Sequence, residues 1–398
     1  LDNVAAFKYL TGYTIRTGVY NEVPDGTELY IFGSDAYRLI TPTGLPNPDI
    51  TWLEMTSYNV GLDASFYRGL IGFEFDLFYR IVDNIFGEPL ESYPSTFGAV
   101  LPELNLNSTD DRGFEILLTH RNSVTSDFFY SIEGSFSLAR EKYRDWSEPA
   151  YDDEDEIRIF KNEGNYTNRR IGYQSDGIFM SQAEIDEHPI DQDQSGNVTL
   201  MPGDIKYIDL NSDGVINWRD QDVIGYSGFP DISYGLNLSA TYKGLRLAAL
   251  LQGASMFDMY NEIHPFVNFS KPWDFHWKYR WQPDPNNKTV NINPDAQLPA
   301  LLGDGVGRNP NNELTSDFWV QDATYVRLKQ ITLSYSLPGN WMNAVGIQNI
   351  QLNISGTNLI TISGMGIFKN SIDPEAVGNA GRFYPPVKTF SIGLKATI

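Results

Sequence analysis

The fold is decided by residues 56–81, which read TSYNVGLDASFYRGLIGFEFDLFYRI. On both sides of Arg68-Gly69, apolar side chains occupy every second position, and the positions between them are mostly Asn, Gly, Asp, Ser or Glu. Such alternation is the signature of a β-strand with one apolar and one polar face. A dipeptide containing Gly between two such runs is typical of a tight hairpin. This stretch therefore predicts two antiparallel strands.

The same alternation recurs along the chain. Clear runs lie at 128–138, 232–240, 350–355 and 390–398, and weaker ones lie near 5–20, 111–121, 245–258 and 325–337. Together these runs predict about ten strands, each about as long as a tilted strand that crosses a bilayer. The apolar face fits lipid contact and the polar face fits a wet lumen. A soluble antiparallel sandwich alternates in the same way, so the strands alone leave both architectures open.

The connections between the predicted strands favour a membrane barrel. Short connections fall at 68–69, 122–126, 243–244 and 338–348, and long ones at 21–55, 82–110, 141–231, 259–324 and 361–387. Short and long connections thus alternate strictly, as they do in outer-membrane barrels whose long loops are all extracellular. A compact soluble domain rarely tolerates several loops of this length.

Composition excludes several classes of function. The 398 residues include 29 basic and 51 acidic side chains, a formal net charge of −22, which argues against a nucleic-acid partner. Because there is no Cys, disulfides, thiol catalysis and Cys-ligated metal sites are excluded. The sequence contains no run of 18 apolar residues, which a transmembrane helix would need. Its start at Leu1 has no signal-peptide pattern. We expect a cytoplasmic protein, a mature chain or an internal piece of a longer one.

Several motifs, in this order and spacing, carry a resemblance to a known family. They are Gly44–Trp52, Thr56–Asp63, Arg112-Gly113-Phe114, Ser175–Phe179, Gly203–Ile216, Tyr279–Pro283 and Trp319–Lys329. Over nearly its whole length, the chain resembles the C-terminal part of the SusC/RagA-type TonB-dependent outer-membrane transporters of the Bacteroidetes. None of the motifs is decisive alone, and the resemblance depends on their combination.

The resemblance implies an all-β fold, an antiparallel transmembrane β-barrel of 22 strands that holds an N-terminal plug. Residues 1–398 would be its C-terminal part, with about 10 of the 22 strands, short periplasmic turns and long extracellular loops, of which 141–231 and 259–324 are the longest. Implied partners are a SusD-like surface lipoprotein that forms a lid, the plug and remaining strands, TonB through the N-terminal part, and outer-membrane lipid. The implied activity is import of oligosaccharides, or of peptides, across the outer membrane of a Gram-negative bacterium.

The sequence departs from a complete family member in two respects. The plug, the TonB box and the earlier strands are missing from these residues, so this piece alone could not close a pore or couple to TonB. The chain also ends in Ile398, where outer-membrane barrels often end in an aromatic residue.

The sharpest local motif is Asp209-x-Asn211-x-Asp213-Gly214-Val215-Ile216-x-x-x-Asp220 in loop 141–231. It matches the twelve-residue calcium loop, in which side-chain oxygens and one carbonyl surround a hard cation and Gly allows the sharp bend. We therefore predict a structural Ca²⁺ bound by Asp209, Asn211, Asp213, the carbonyl of Val215 and Asp220. An Asx-rich turn without metal would carry the same residues. Upstream, Asp191-x-Asp193-x-Ser195-Gly196 begins a similar pattern, but Pro202 stands where its last ligand is needed.

Trp273, Trp277 and Trp281 recur every four residues in loop 259–324. Flat aromatic rings pack on the apolar faces of sugars, and Asp274 or His276 could hydrogen-bond sugar hydroxyls. Trp273, Trp277, Asp274 and His276 are thus candidate substrate-binding residues. The alternative is that the rings pack this loop onto its neighbours or onto the lid, which is the better interpretation of Trp281.

No known catalytic motif is recognisable in the sequence. The four His residues are scattered, and no G-x-S-x-G, H-E-x-x-H, Walker or Rossmann pattern occurs. We therefore expect a transport protein and no enzyme. Two alternatives stay open: a secreted β-rich carbohydrate-active enzyme with a dockerin-like calcium loop, and a surface adhesin or structural barrel without transport.

Overall fold

The computed structural model describes residues 10, 12–15, 29–33, 35–38, 40–42, 45–89, 101–260, 274–301, 310–338, 348–376 and 386–397. Their strands, numbered along the chain, are β1 (Tyr13–Ile15), β2 (Leu29–Phe32), β3 (Asp35–Arg38), β4 (Ile40–Pro42), β5 (Glu54–Phe66), β6 (Ile71–Gly87), β7 (Leu104–Ser123), β8 (Phe128–Asp145), β9 (Arg170–Tyr173), β10 (Ser175–Ile178), β11 (Ile205–Tyr207), β12 (Gln221–Gly225), β13 (Ile232–Tyr242), β14 (Leu245–Ser255), β15 (Asp258–Tyr260), β16 (Pro283–Asp284), β17 (Asn287–Asn291), β18 (Val320–Asp322), β19 (Tyr325–Ser336), β20 (Asn349–Ser363) and β21 (Thr389–Thr397). The helices are α1 (Glu154–Phe160), α2 (Gln182–Asp186) and α3 (Asp274–Tyr279).

Nine long strands form one antiparallel sheet in the order β21-β20-β19-β14-β13-β8-β7-β6-β5. Apart from the short strands that lie within its long connections, this sheet is a meander of sequence neighbours, as the alternation predicts. Paired residues face the same side of a sheet, so the register defines its two faces. One row across eight strands is Ala64, Phe73, Leu118, Gly134, Leu236, Leu251, Leu328 and Ile360. The next row is Asp63, Glu74, Leu117, Ser135, Gly235, Gln252, Arg327 and Thr361. The first face is apolar and the second mostly polar.

The described part of the strand predicted near residues 5–20, residues 10 and 12–15, does not pair with this sheet. The described portion of that segment forms β1, which pairs with β4 in a separate two-stranded ribbon. The other predicted strands all lie in the large sheet, which therefore has nine strands in the described part of the chain instead of about ten.

The apolar face of the large sheet is open to its surroundings. Leu62, Leu77, Leu118, Ile354 and Leu394 are between 51% and 69% exposed. A continuous apolar surface of this kind needs a cover, and hydrocarbon chains supply one for an outer-membrane barrel. At the end with short turns, rings of Phe128, Tyr130 and Tyr242 contact one another on this face, with neighbouring centroids 6.0 and 6.4 Å apart. This is where an interfacial aromatic girdle is expected.

The two tightest turns have the backbone that their sequences predict. Between β13 and β14, Lys243 and Gly244 have φ of 46° and 85°; between β5 and β6, Tyr67, Arg68 and Gly69 have φ of 52°, 61° and 89°, and the N–H of Gly69 donates to the carbonyl of Phe66 at 3.1 Å. Two successive residues with positive φ make the hairpin turn whose twist matches that of the flanking strands. No α-helix in the described residues is both long and apolar enough to cross a membrane.

Candidate functional site

The long connections fold into a packed structure, which we call the loop unit and define as residues 146–231, 256–260, 274–301, 310–324 and 364–376. Two apolar clusters join segments that are far apart in sequence. One contains Phe257, Met259, Phe275, Leu298, Met365, Phe368 and Ile372. The other contains Ile178, Ile205, Tyr207, Ile216, Trp281 and Trp319. Each cluster joins two connections, so the loop unit has a core of its own above the sheet.

Hydrogen bonds between buried polar groups join the two longest connections, 141–231 and 259–324. Asn312 Nδ2 donates to Asp204 Oδ1 at 3.0 Å, and Asn312 Oδ1 accepts from the N–H of Ile205 at 2.8 Å. The hydroxyl of Tyr207 donates to the carbonyl of Asn311 at 2.6 Å. The indole N–H of Trp319 donates to the carbonyl of Asn312 at 2.9 Å. Because the side chains of Asp204 and Asn312 are buried and hydrogen-bonded, they fix the register of the two connections.

The Asp209 motif forms a tight turn directly after β11. The carboxylate of Asp209 accepts backbone N–H groups from Asp213 and Gly214, at 3.2 and 2.8 Å. Asn211 Oδ1 accepts the N–H of Asp213, and Asp213 Oδ1 accepts that of Val215. Gly214 has a φ of 85°, which favours Gly, and the turn is anchored by Ile216 in the core. The oxygens of Asp209, Asn211 and Asp213 therefore gather around one bend.

Hydrogen bonds within this turn keep the carboxylate of Asp213 ionised. The side-chain amide of Asn211 and the backbone N–H of Val215 lower the pKa of Asp213. Asp213 therefore stays ionised below the usual range of a carboxylate and offers acceptor oxygens only, which suits a hard cation.

Asp220 has a different role in this conformation. It is completely buried, and its carboxylate accepts the N–H of Leu210 at 3.0 Å and that of Asn217 at 2.8 Å. It thereby caps the 3₁₀ turn Trp218–Asp220, and burial raises its pKa. In the described residues, no three Asp, Glu or His side chains are close enough together to hold a metal ion. A cation at this turn would require Asp220 to exchange these N–H donors for the ion.

The upstream motif folds like the Asp209 turn. Gln194 and Gly196 have φ of 56° and 77°, as Ser212 and Gly214 have 61° and 85°. The turns are joined by Asp191, whose N–H donates to the carbonyl of Gly214 and whose carbonyl accepts from Ile216. Burial acts to raise the pKa of Asp193, but hydrogen bonds from Thr199, Ser195 and Asn197 outweigh it and hold this pKa at about 2. The shared spacing of Asp and Gly was the sequence signal for this paired arrangement.

The candidate substrate-binding residues lie in different environments, and Trp273 falls outside the described residues. Asp274 and Trp277 are on the exposed side of α3, where the side chain of Trp277 is 54% exposed. The guanidinium of Arg280 lies 4.1 Å from the Trp277 ring centroid and covers one of its faces. His276 and Trp281 are only 2% exposed and face the core. In this conformation, α3 thus presents Asp274 and Trp277, but not His276, to a ligand.

Burial of His276 predicts an effect of pH on this helix. Desolvation lowers the pKa of His276 to about 4, against about 6.5 in an unfolded chain. As pH falls below about 6.5 the unfolded state takes up a proton that the folded state does not, so local stability decreases until about pH 4. At pH 5 the free energy of local unfolding should be about 2 kcal/mol lower than at neutral pH. Amide exchange at 274–279, corrected for intrinsic rates, should therefore be roughly 30-fold faster. In His276→Gln this extra acceleration should disappear, and its persistence would assign it to another group.

A charged cluster fastens the segment after β20 to the polar face of the sheet. Arg327, which is 1% exposed, donates from Nη2 to Asp373 and from Nε to Thr361, and its Nη1 is 3.0 Å from Glu375 Oε2. The hydroxyl of Tyr325 also donates to Glu375, at 3.0 Å. Residues 364–376 are thereby held against the polar face of the sheet at β19 and β20. No individual motif in the sequence indicated this cluster.

Comparison with known proteins confirms the resemblance derived from the sequence. The chain is 26% identical to TonB-dependent receptor P26 of Formosa agariphila over 88% of its own length and 35% of that receptor. It is 25% identical to TonB-dependent receptor SusC of Bacteroides thetaiotaomicron over 98% of its length and 35% of that receptor. The chain therefore spans about a third of the length of these curated relatives. No family model matches it.

Solved structures share the fold of the chain. A structure of the RagAB peptide transporter superposes with a TM-score of 0.64 at 18% identity, over 98% of this chain and 38% of that one. The RagAB peptide importer in its open-open state gives the same TM-score at 20% identity, over 98% of this chain and 39% of that one. The nine-stranded sheet thus has the fold of part of an outer-membrane β-barrel.

Proposed function

We propose that this chain, a C-terminal portion of a SusC/RagA-type TonB-dependent receptor of the outer membrane, supplies wall strands and external loops for nutrient import. The observation that carries this proposal is the nine-stranded meander, which has one exposed apolar face and one mostly polar face. In this role the chain makes and breaks no covalent bonds. It contributes the wall along which substrate passes and a rigid loop unit at the outer mouth.

The loop unit is the part proposed to meet the lid lipoprotein and the substrate. Its apolar clusters and the hydrogen bonds of Asn312 make it a preorganised surface, which lowers the ordering cost of binding. Similarity to the RagAB peptide transporter supports peptides as a substrate class, and the family resemblance of the sequence implies oligosaccharides as the other. The exposed ring of Trp277 beside Asp274 favours oligosaccharides, because a sugar stacks on an indole and hydrogen-bonds a carboxylate.

The import function is tested with the full-length receptor expressed together with its lid. The receptor should fractionate with the outer membrane and co-purify with a lipoprotein. It should also capture members of a mixed oligosaccharide library, detected by native mass spectrometry, in preference to a tryptic peptide mixture. Selective peptide capture would shift the proposed substrate to peptides. Hydrolysis of the oligosaccharides by the purified receptor would favour the enzyme hypothesis.

Replacing Trp277 by Ala should lower the affinity for the captured oligosaccharide about tenfold, because a stacking contact contributes roughly 1.4 kcal/mol. Titration calorimetry measures the change. The matched control is Trp52→Ala, which removes a Trp that is 72% exposed outside the loop unit and should leave affinity unchanged. Equal affinities for Trp277→Ala and the wild type would remove this residue from the site.

We further propose that Ca²⁺ binds at Asp209, Asn211, Asp213 and the carbonyl of Val215, with Asp220 completing the shell after it releases its backbone donors. The ion would neutralise carboxylates that crowd one bend and would stabilise the turn that Ile216 anchors.

Titrating the chelator-treated receptor with CaCl₂ should release or absorb heat, and Asp213→Ala should abolish this signal. Asp127→Ala, at a short turn far along the sheet, should not change it. Absence of heat in the wild type would end the proposal.

A further inference from the structure

A basic patch lies at the end of the apolar rows that is nearest the loop unit. Arg112 on β7 and Arg140 on β8 are direct partners, and the register places them in one row with Tyr79 on the apolar face. On β7 the same face runs from His120 through Leu118, Ile116 and Phe114 to Arg112. Eight residues of tilted strand rise about 20 Å, which is close to the height of an outer-membrane hydrocarbon band. The arginines therefore lie at the level of the outer-leaflet head groups.

The patch is built by packing between the sheet and the loop unit. The backbone of Tyr166 forms a β-bridge with Lys142, two residues after Arg140. The guanidinium of Arg140 lies 3.4 Å, and the ammonium of Lys142 lies 4.5 Å, from the centroid of the Tyr166 ring. Arg112 lies over Tyr79 in the same manner, at 5.6 Å. Stacking restricts the cations to defined positions, so little conformational freedom is lost when an anion binds.

The charges in the patch are arranged with the cations outermost. Arg112 pairs with Asp110, and Arg140 Nε donates to Asp231 Oδ2 at 2.9 Å. The carboxylates are 8% and 9% exposed, whereas the side chains of Arg112 and Arg140 are 48% and 23% exposed. Two arginines directly opposite each other repel, and the register places Lys142 opposite Asp110, so three cations lie close to these two buried carboxylates. The outer surface of the patch is therefore positive and complementary to an anion.

An exposed aromatic residue lies close in sequence to the acid that Arg140 binds. Phe229 is 83% exposed and lies two residues before Asp231. Asn168 Nδ2 donates to the carbonyl of Phe229 at 3.3 Å and to Asp231 Oδ1 at 2.6 Å, so the same amide fixes the ring-bearing segment and the acid beneath Arg140. Acyl chains would cover a ring that is exposed to this extent.

We propose that Arg112, Arg140, Lys142 and Phe229 form a binding site for a phosphorylated glycolipid of the outer leaflet. The guanidinium groups and the ammonium bind its phosphate, and Phe229 packs on its acyl chains. Guanidinium forks match phosphate oxygens better than point charges do, which favours a phosphate over a carboxylate ligand. The site is on the lipid-facing side, away from the lumen and its substrate. This inference rests on the outer-membrane orientation given in the proposed function.

The test uses the full-length receptor with its lid in neutral detergent, titrated with lipid A in native mass spectrometry. Arg112→Gln/Arg140→Gln should weaken binding of phosphorylated lipid A at least tenfold and leave binding of dephosphorylated lipid A unchanged. The matched control, Arg121→Gln/Arg246→Gln, removes two cations from the polar face near the short turns and should bind like the wild type. Phe229→Ser should weaken both forms of lipid A, without any change of charge.

Unchanged binding of phosphorylated lipid A by the double Gln variant would overturn the proposal, as would equal losses for both forms. Phosphatidylglycerol that binds as tightly as lipid A would also overturn the glycolipid assignment. Heat-modifiable mobility on gels shows whether each variant forms a folded barrel, and Phe229→Ser is a second route if the double variant does not. Substrate capture is measured separately. A receptor that binds lipid A but captures no nutrient would therefore disprove the import proposal and leave the lipid site standing.

Discussion

Replacing Arg327 by Met is expected to destabilise the attachment of residues 364–376 by about 3–5 kcal/mol. The reason is that breaking a buried ion pair leaves the partner carboxylates without a counter-charge. Arg327 is 1% exposed and is the common partner of Asp373, Glu375 and Thr361. Met fills much of the same volume but cannot pair with the two carboxylates. The segment should therefore detach from the wall, and its amide exchange in the full-length receptor should approach that of an open loop.

Lys329 provides the matched control for this prediction. Its ammonium is 3.2 Å from Glu375 Oε2, but its side chain is 34% exposed. An exposed pair contributes about 0–1 kcal/mol, so Lys329→Met should leave exchange at 364–376 nearly unchanged. If the two variants accelerate exchange equally, the cluster does not hold the segment through a buried charge.

The sheet could be predicted from the sequence because its signals are local. Alternation at Tyr58–Phe66 and Ile71–Tyr79 defines which side chains share a face, and Arg68-Gly69 and Lys243-Gly244 define where the chain reverses. A slip of one residue would turn each apolar row toward the lumen, so the pattern also sets the register.

The core of the loop unit could not be predicted, because its contacts join residues more than 100 positions apart. Nothing local in the sequence indicates that Ile205 would bind Asn312 or that Tyr207 would bind Asn311. The acidic run 152–156 has the composition of a solvated loop tip. Instead Asp153 caps α1, and Asp153 and Asp155 both pair with Arg219. The run lacked any sign of this partner, which is 64 residues further along the chain than Asp155.

The candidate site was predicted in part. A spacing of four would place Trp273, Trp277 and Trp281 on one helix face, but α3 ends at Tyr279, so Trp281 turns into the core. The turn of Asp209, Asn211 and Asp213 follows from residue types that accept nearby N–H groups. Asp220 departs from the motif because a 3₁₀ turn with a capping box uses its carboxylate locally, and this competition leaves no trace in the spacing.

Replacing Trp319 by Ala is expected to cost the loop unit about 3–5 kcal/mol, the range for removing a large aromatic side chain from a core. Trp319 is 1% exposed, packs in the cluster with Ile205 and Tyr207, and donates its indole N–H to Asn312. The apolar contacts with Ile205 and Tyr207 in the other long connection are lost, and so is the hydrogen bond that holds Asn312 in place. Limited proteolysis of the full-length receptor should then cut within 203–220 and 310–319, while heat-modifiable mobility shows the barrel intact.

Trp277→Ala serves as the comparison for this core substitution, since it removes the same side chain from a position that is 54% exposed. Its effect on proteolysis should be small, because exposed substitutions usually change stability by less than about 0.5 kcal/mol. If Trp319→Ala leaves the cleavage rate at the wild-type value, the long connections are held independently by the sheet and do not form one cooperative unit. A surface that moves as separate loops could not present Trp277 and the Asp209 turn in a fixed arrangement, so this outcome would also weaken the proposed preorganised contact with lid and substrate.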